Sequence, residues 1–203
     1  MGGVGPHRPT GDMRSLQEWV LQEGVVVGPE FLRVDGFLNH RIAPAFVEEA
    51  GRRLAAAFAA AGVTCVLTAE AAGNVIAYEV ARRLTAHALY AKKGRAATMS
   101  SPLARQVSSP TKGGDTELAV SADYLTPGQR VLAVDDFLYR GLTSCALAEM
   151  VGEAGAELVG FGFVIEKCFG DGRRVLSRFG VPIVSLVQVE RMDPGSGKIT
   201  FRE

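Results

Sequence analysis

Three runs, VTCVLTAE (63–70), RVLAVDD (130–136) and AELVGFGFVIEK (156–167), are apolar at nearly every position. A strand with no in-and-out alternation is buried on both faces, the condition of a parallel strand covered by helices on each side. Helical segments separate these runs: NVIAYEVARRLTAH follows the first, SCALAEMVGEAG the second and RRVLSRFG the third, before a further apolar strand, VPIVSLVQVERM. Strands alternating with helices in this order predict an α/β fold with a mostly parallel sheet flanked by helices. The 203 residues suit one such domain and are too few for two.

The first fourteen residues are rich in Gly and Pro and are expected to form a disordered N-terminal extension, leaving 15–203 as the single domain. In SLQEWVLQEG, Leu16, Trp19 and Val20 have helical spacing, with Ser15 placed to cap and Gly24 to stop the helix. Residues 25–42 mix β-formers with Gly and Pro and read as an irregular hood or edge segment. PAFVEEAGRRLAAAFAAAG is an Ala-rich helix, and ALYAKK a short strand. Residues 94–115 carry much Ser, Thr, Gly and Lys without periodicity, so a long flexible flap is expected there. TELAVSADYL reads as a strand of a flap or hairpin and KITFRE as a closing strand.

The 22 basic and 22 acidic side chains balance, which argues against a nucleic-acid or membrane-surface role. Three cysteines, Cys65, Cys145 and Cys168, lie far apart with no paired spacing, so neither a disulfide framework nor a zinc site is expected. No stretch is long enough for a membrane span, and the opening residues lack the apolar core of a signal peptide. The expectation is a cytoplasmic enzyme or regulator.

VLAVDDFLYRGLT carries the chemistry. Asp135 and Asp136 end an apolar strand side by side, where mutual repulsion destabilises them unless a cationic or hydroxylic group binds. The carboxyl ends of parallel strands are where ligands gather. The turn leads into a helix whose N–H groups and dipole favour phosphate; Gly141 permits close approach, and Thr143 supplies a hydroxyl placed to cap that helix. Neither common glycine-rich phosphate loop is present. Acids just before a phosphate turn suit a sugar phosphate, with the carboxylates accepting from ribose hydroxyls.

These residues resemble the type I phosphoribosyltransferases, whose signature is an apolar strand, two acids, two hydrophobes and a small-residue turn. EGVVVGPEFLRVDGFLNHRIAP, AGAELVGFGFVIEKCF and VERMDPGSGKITF are similar to the xanthine branch of that family in bacterial purine salvage. The resemblance runs from about Leu16 to Phe201. It implies a type I phosphoribosyltransferase fold with a small hood, formed by residues 15–42 and the C-terminal strands, and a flap. It implies transfer of 5-phosphoribosyl from phosphoribosyl diphosphate to xanthine with Mg2+, in a homodimer. By the same resemblance Tyr139, Arg140, Gly141, Leu142 and Thr143 hold the 5′-phosphate, and Asp135 and Asp136 serve the ribose or metal-bound water. Lys92 and Lys93 meet the diphosphate, Leu32 and Asn39 cover the base, and Lys167 donates to its 6-oxo group. An ammonium has only donors and so disfavours the 6-amino group of adenine.

Three places depart from the family pattern. EAAGN puts Ala71 and Ala72 where serines are usual, VSSPTK puts Ser108 in place of a tyrosine with Pro110 after it, and Arg140 is bulkier than the usual turn residue. These departures leave open a ligand-sensing regulator on the same fold, and a guanine, hypoxanthine or adenine enzyme is a further alternative. From composition alone, Leu32 is ordinary core, Asn39 a turn residue, Lys92 and Lys93 a solvated strand end, and Lys167 a surface charge. Arg52, Arg53, Arg82 and Arg83 read as decoration of exposed helix faces, and Trp19 as an anchor for the first helix.

Overall fold

The computed structural model describes residues 14–108 and 114–202. The expected N-terminal extension, apart from Arg14, and Pro110 of the flap lie outside them. The chain opens with α1 (Leu16–Glu23), where Ser15 accepts the Glu18 N–H at 3.2 Å and Glu18 accepts the Ser15 N–H at 2.6 Å. This reciprocal pair satisfies two donors that a helix start leaves free. A two-stranded antiparallel ladder, β1 (Val25–Val26) with β2 (Leu32–Arg33), follows, then a wide turn of π-helix at Asp35–Asn39. Trp19, Phe37 and Phe46 meet with ring centroids 4.8–5.9 Å apart, anchoring this hood on α2 (Pro44–Ala57). Such aromatic pairs contribute about 0.5–1.5 kcal/mol each beyond the area they bury.

The main sheet has eight strands among the described residues, in the order β10-β9-β8-β7-β3-β4-β6-β5. They are β3 (Cys65–Ala69), β4 (His87–Lys93), β5 (Pro102–Ser108), β6 (Asp115–Ser121), β7 (Arg130–Leu138), β8 (Glu157–Lys167), β9 (Ile183–Met192) and β10 (Ile199–Phe201). Strands β4, β3, β7, β8 and β9 are mutually parallel, as the apolar runs predict; β10, β5 and β6 add antiparallel edges. The crossovers carry α3 (Gly73–Leu84), α4 (Leu142–Glu153) and the short α5 (Gly172–Leu176). The C-terminal strands extend this sheet while sharing one core with the hood: Leu16, Val20 and Phe37 join Val187, Val189 and Ile199.

Three expectations need correction. Residues 102–108, expected within an irregular flap, form β5, paired in register with β6 from Pro102↔Ser121 to Ser108↔Asp115. PLARQVS hides this because it is an edge strand that opens on proline and lacks clean alternation. Thr143 does not cap α4; it lies inside the first turn, and the cap is Gly141 in the left-handed region at φ 73°. Arg83 does not decorate a free face: it is half-buried and bridges Glu79 to Glu48, tying α3 to α2. The cysteines are free, as expected, and burial pushes the Cys65 thiol up to about 11. Among the described residues no helix is long and apolar enough to cross a membrane.

Candidate active site

The sheet opens a crevice by the way β7 leaves β3. Their pairing stops at Leu67↔Ala133, whereas β7 continues beside β8 as far as Leu138↔Glu166. From β3 the chain passes through α3 to β4 on one side, and from β7 through α4 to β8 on the other. The gap between β3 and β7 is therefore the switch point at which an open α/β sheet admits ligands. Asp135 and Asp136 stand within β7, bordering this gap, so the loop proper is only Tyr139–Arg140–Gly141.

A cavity of about 560 Å³ fills the crevice. Asp135, Asp136 and Phe137 form its floor, Glu70, Ala71 and Ala72 one rim, and Val107, Ser108, Thr116 and Leu118 of the β5–β6 arm the opposite wall; Asn39 reaches in from the hood. A recess of about 140 Å³ adjoins it through Ser108, Asp135, Phe137 and Thr143 and is lined by Tyr139, Arg140, Gly141 and Leu142. The larger space suits a sugar and its leaving group, and the smaller one a single phosphate at the start of α4.

Local geometry explains both glycines of the site. At Gly73, where α3 begins, a Cβ would stand 2.0 Å from the Thr68 hydroxyl and 3.0 Å from an Asp135 carboxylate oxygen, so only glycine lets the helix start pack on the two strand ends. Gly141 combines its positive φ with a close approach, since a Cβ would lie 3.1 Å from the Gly172 carbonyl. The turn is pinned from behind by the Gly172 N–H, which donates to the Tyr139 carbonyl at 2.7 Å.

Burial, and then the neighbouring Asp136 carboxylate, push the Asp135 carboxyl well above the usual carboxylate range, with the Lys93 charge opposing. The half-buried pair resists carrying two charges, so hydroxyl donors or a cation placed against it are favoured. Burial pulls the Lys167 ammonium below its ordinary value, while Asp136 and Glu30 oppose the shift. The Lys167 Nζ lies 4.9 Å from the Phe137 ring centroid and 5.3 Å from that of Tyr139, and donates to the Glu30 carbonyl at 2.5 Å. Its neighbour Glu166 points the other way: nearly fully buried, it takes a fork of hydrogen bonds from Arg173 at 2.8 and 2.5 Å, and Arg173 also donates to the Ile183 carbonyl and Ser185 hydroxyl. Alternation along β8 thus turns Glu166 to the scaffold and Lys167 to the rings of Phe137 and Tyr139.

The structure brings together Asp135, Asp136, Asn39, Lys93 and Thr143 around the large cavity, and Tyr139, Arg140, Gly141, Leu142 and Thr143 around the recess. It does not bring in Lys92, whose side chain lines a separate depression with Tyr90, Met99 and Tyr124, because adjacent strand residues face opposite sides. Leu32 and Lys167 are also absent from the cavity lining: the Leu32 side chain is buried in the hood core, and Lys167 packs on the Phe137 and Tyr139 rings with its ammonium on the Glu30 carbonyl. Sequence reasoning missed Glu70, which borders the cavity and accepts the Lys93 main-chain N–H at 2.7 Å. An acid just past a buried strand was the available signal, the same one that marked Asp135. It also missed Phe137, Thr116 and Glu30, for which composition gives no sign.

Crevice, paired acids and phosphate turn define a class, and a phosphoribosyl transferase domain is matched across residues 42–174; the chain belongs to that family. Its relatives narrow the likeness. It is 43% identical over 189 residues to the xanthine phosphoribosyltransferase of Heliobacterium modesticaldum, covering 93% of this chain and 100% of the relative. It is 41% identical over 184 residues to that of Deinococcus deserti, covering 90% and 95%. The adenine phosphoribosyltransferase of Thermoanaerobacter pseudethanolicus superposes with a TM-score of 0.70 at 23% identity, covering 86% of this chain and 99% of that one, a likeness of fold alone.

Proposed function

We propose that this chain is a purine-salvage enzyme that joins xanthine to C1 of 5-phosphoribosyl 1-diphosphate, giving xanthosine monophosphate and pyrophosphate. The observation that carries this reading is one continuous crevice holding the acid pair and the phosphate turn, with a half-buried lysine packed against the Phe137 and Tyr139 rings that line it. Curated relatives with that activity over nearly the whole chain support it.

In this reading the N-terminal amides of α4, with the Arg140 guanidinium beside them, take the 5′-phosphate and fix the sugar. Asp135 and Asp136 accept from the ribose hydroxyls below C1 and stabilise the positive charge that grows on the sugar as the diphosphate leaves. Lys93 and the main chain of Ala71–Ala72 receive the departing oxygens; with no hydroxyl on either alanine, the amides carry that role. Lys167 donates to the 6-oxo group of the base, and Asn39 closes the hood side.

The residues fit magnesium as a partner of the substrate. Among the described residues no group of three or more potential ligands exists, while two carboxylates side by side match an ion that takes most of its ligands from phosphates and water. Asp135 and Asp136 would hold it, and it would neutralise charge on the leaving diphosphate. A homodimer and a cytoplasmic location complete the reading, on the strength of the family.

Steady-state assays with xanthine, guanine, hypoxanthine and adenine test it. Nucleotide should form fastest from xanthine, and Lys167→Ala should lose about 1–3 kcal/mol of selectivity for 6-oxopurines over adenine. No product from any of the four bases, with phosphosugar binding intact, would favour the regulator instead.

A further inference from the structure

One residue of the hood touches two of the three cationic side chains that the proposed function assigns to substrate. Glu30 sits in the loop joining β1 to β2, a tight turn held by the Val27 N–H donating to Phe31 and the Phe31 N–H donating to Gly28. Its main-chain carbonyl accepts from Lys167 at 2.5 Å, and its carboxylate lies 3.4 Å from the Arg140 guanidinium. These partners come from the end of β8 and from the phosphate turn, elements far from this loop in sequence. The Tyr139 hydroxyl, adjacent to Arg140, also feels the Glu30 carboxylate.

The two contacts differ in what competes for them. A phosphate in the recess offers Arg140 a stronger anion than a carboxylate, and places that anion against Glu30, which it repels. Besides its own turn hydrogen bonds the loop is tied to the hood by a two-residue ladder, and Val27 and Phe31 are about half exposed. Coupling the two contacts therefore requires the short loop to shift as a unit, carrying the Glu30 carbonyl along with its carboxylate. The rings of Phe137 and Tyr139 flank the Lys167 ammonium, so losing its carbonyl partner leaves an N–H to re-aim toward an acceptor in the cavity.

We propose that Glu30 is a positioning residue coupling the two subsites: seating of a sugar phosphate at Arg140 releases Lys167 from the Glu30 carbonyl and so readies it for the base. The proposal rests on the functional reading above, and deepens it by naming the contact through which the two subsites are coupled.

Calorimetry on the full chain tests it, using ribose 5-phosphate and xanthine as probes with wild type, Glu30→Ala and Glu30→Gln. Removing the competing charge should tighten ribose 5-phosphate binding roughly 2- to 5-fold in both variants, the range of an exposed ion pair, with the gain shrinking as salt rises. Wild type should bind xanthine more tightly once ribose 5-phosphate is present, and that enhancement should fall toward one in Glu30→Ala. Phosphosugar binding that is unchanged or weaker in both variants, or an enhancement that survives the alanine, overturns the coupling. The glutamine variant keeps the side chain's shape, so an effect seen only with alanine marks a packing role and also overturns it. Wild-type protein that binds no ribose 5-phosphate overturns the functional reading, a result distinguishable from either of these.

Discussion

From Asp135 to Thr143 the backbone alone sets the floor of the site: a strand paired to β8, a three-residue turn with one left-handed glycine, and the first turn of α4. The facing wall is made differently. Val107, Ser108, Thr116 and Leu118 reach the cavity only because β5 and β6 pair in register and because Arg105 ties the arm to Glu149 and Glu153 of α4. The floor rests on neighbours in sequence and on buried packing, and the wall on an edge hairpin and exposed ion pairs. Substitutions in the floor should therefore damage chemistry or folding outright, whereas those in the wall should change motion and affinity by small factors.

The largest effect is expected at the acid pair. Asp135→Asn should lower kcat/KM on the order of 100-fold, since under the proposed function it removes a charge that stabilises the sugar as it turns positive. The same change should raise the melting temperature near neutral pH. The folded state raises the Asp135 pKa, so it holds a proton that the unfolded chain has released between the ordinary carboxylate range and that raised value. Stability falls as pH climbs through this window, and the full penalty stands above it. Melting curves of both proteins should converge on acidification; parallel curves would remove the strain from Asp135.

Gly73→Ala comes next. Its methyl would press on Thr68 and Asp135 at 2.0 and 3.0 Å, for a cost of about 1–3 kcal/mol in urea unfolding. Gly152→Ala, where a methyl meets nothing within 4 Å, should be neutral or slightly stabilising. Smaller still is the contrast on β4: Lys93→Ala should raise the KM for phosphoribosyl diphosphate roughly 3- to 10-fold in a salt-sensitive way, and Lys92→Ala by less than about twofold. Arg105→Ala, in the wall, is expected to cost only about 0.5–1 kcal/mol and to speed hydrogen exchange across residues 102–108. Equal effects at Lys92 and Lys93, or an Arg105→Ala as damaging as Gly73→Ala, would erase the distinction between floor and wall.

The same distinction governs what could be read from the chain. The parallel strands, their crossovers, the α1 capping box and the phosphate turn announce themselves by burial pattern and local chemistry, as Val131–Val134 and Ser15 show. Of the arm only β6 did, in TELAVS; β5 did not, because it draws its stability from β6 and α4 and not from its own residues. Adjacent lysines at 92 and 93 look alike in sequence, and only the pleat of β4 separates the one in the cavity from the one behind it. Glu30 is the extreme case: its partners lie 110 and 137 residues away, and nothing near it in the chain foretells either.

The end of β8 has a consequence for how lineages of this protein can drift. Glu166 grips Arg173 in the interior, and Lys167 turns the other way, to the Glu30 carbonyl of the hood. Insertion or deletion of one residue in this strand would swap the two, sending an ammonium into the packed interior and stranding a guanidinium without its acid, a loss of about 3–5 kcal/mol. The stretch from Gly94 to Ser101 carries no such register, so it can gain or lose residues freely. Homologues should vary in length there and keep β8 frozen.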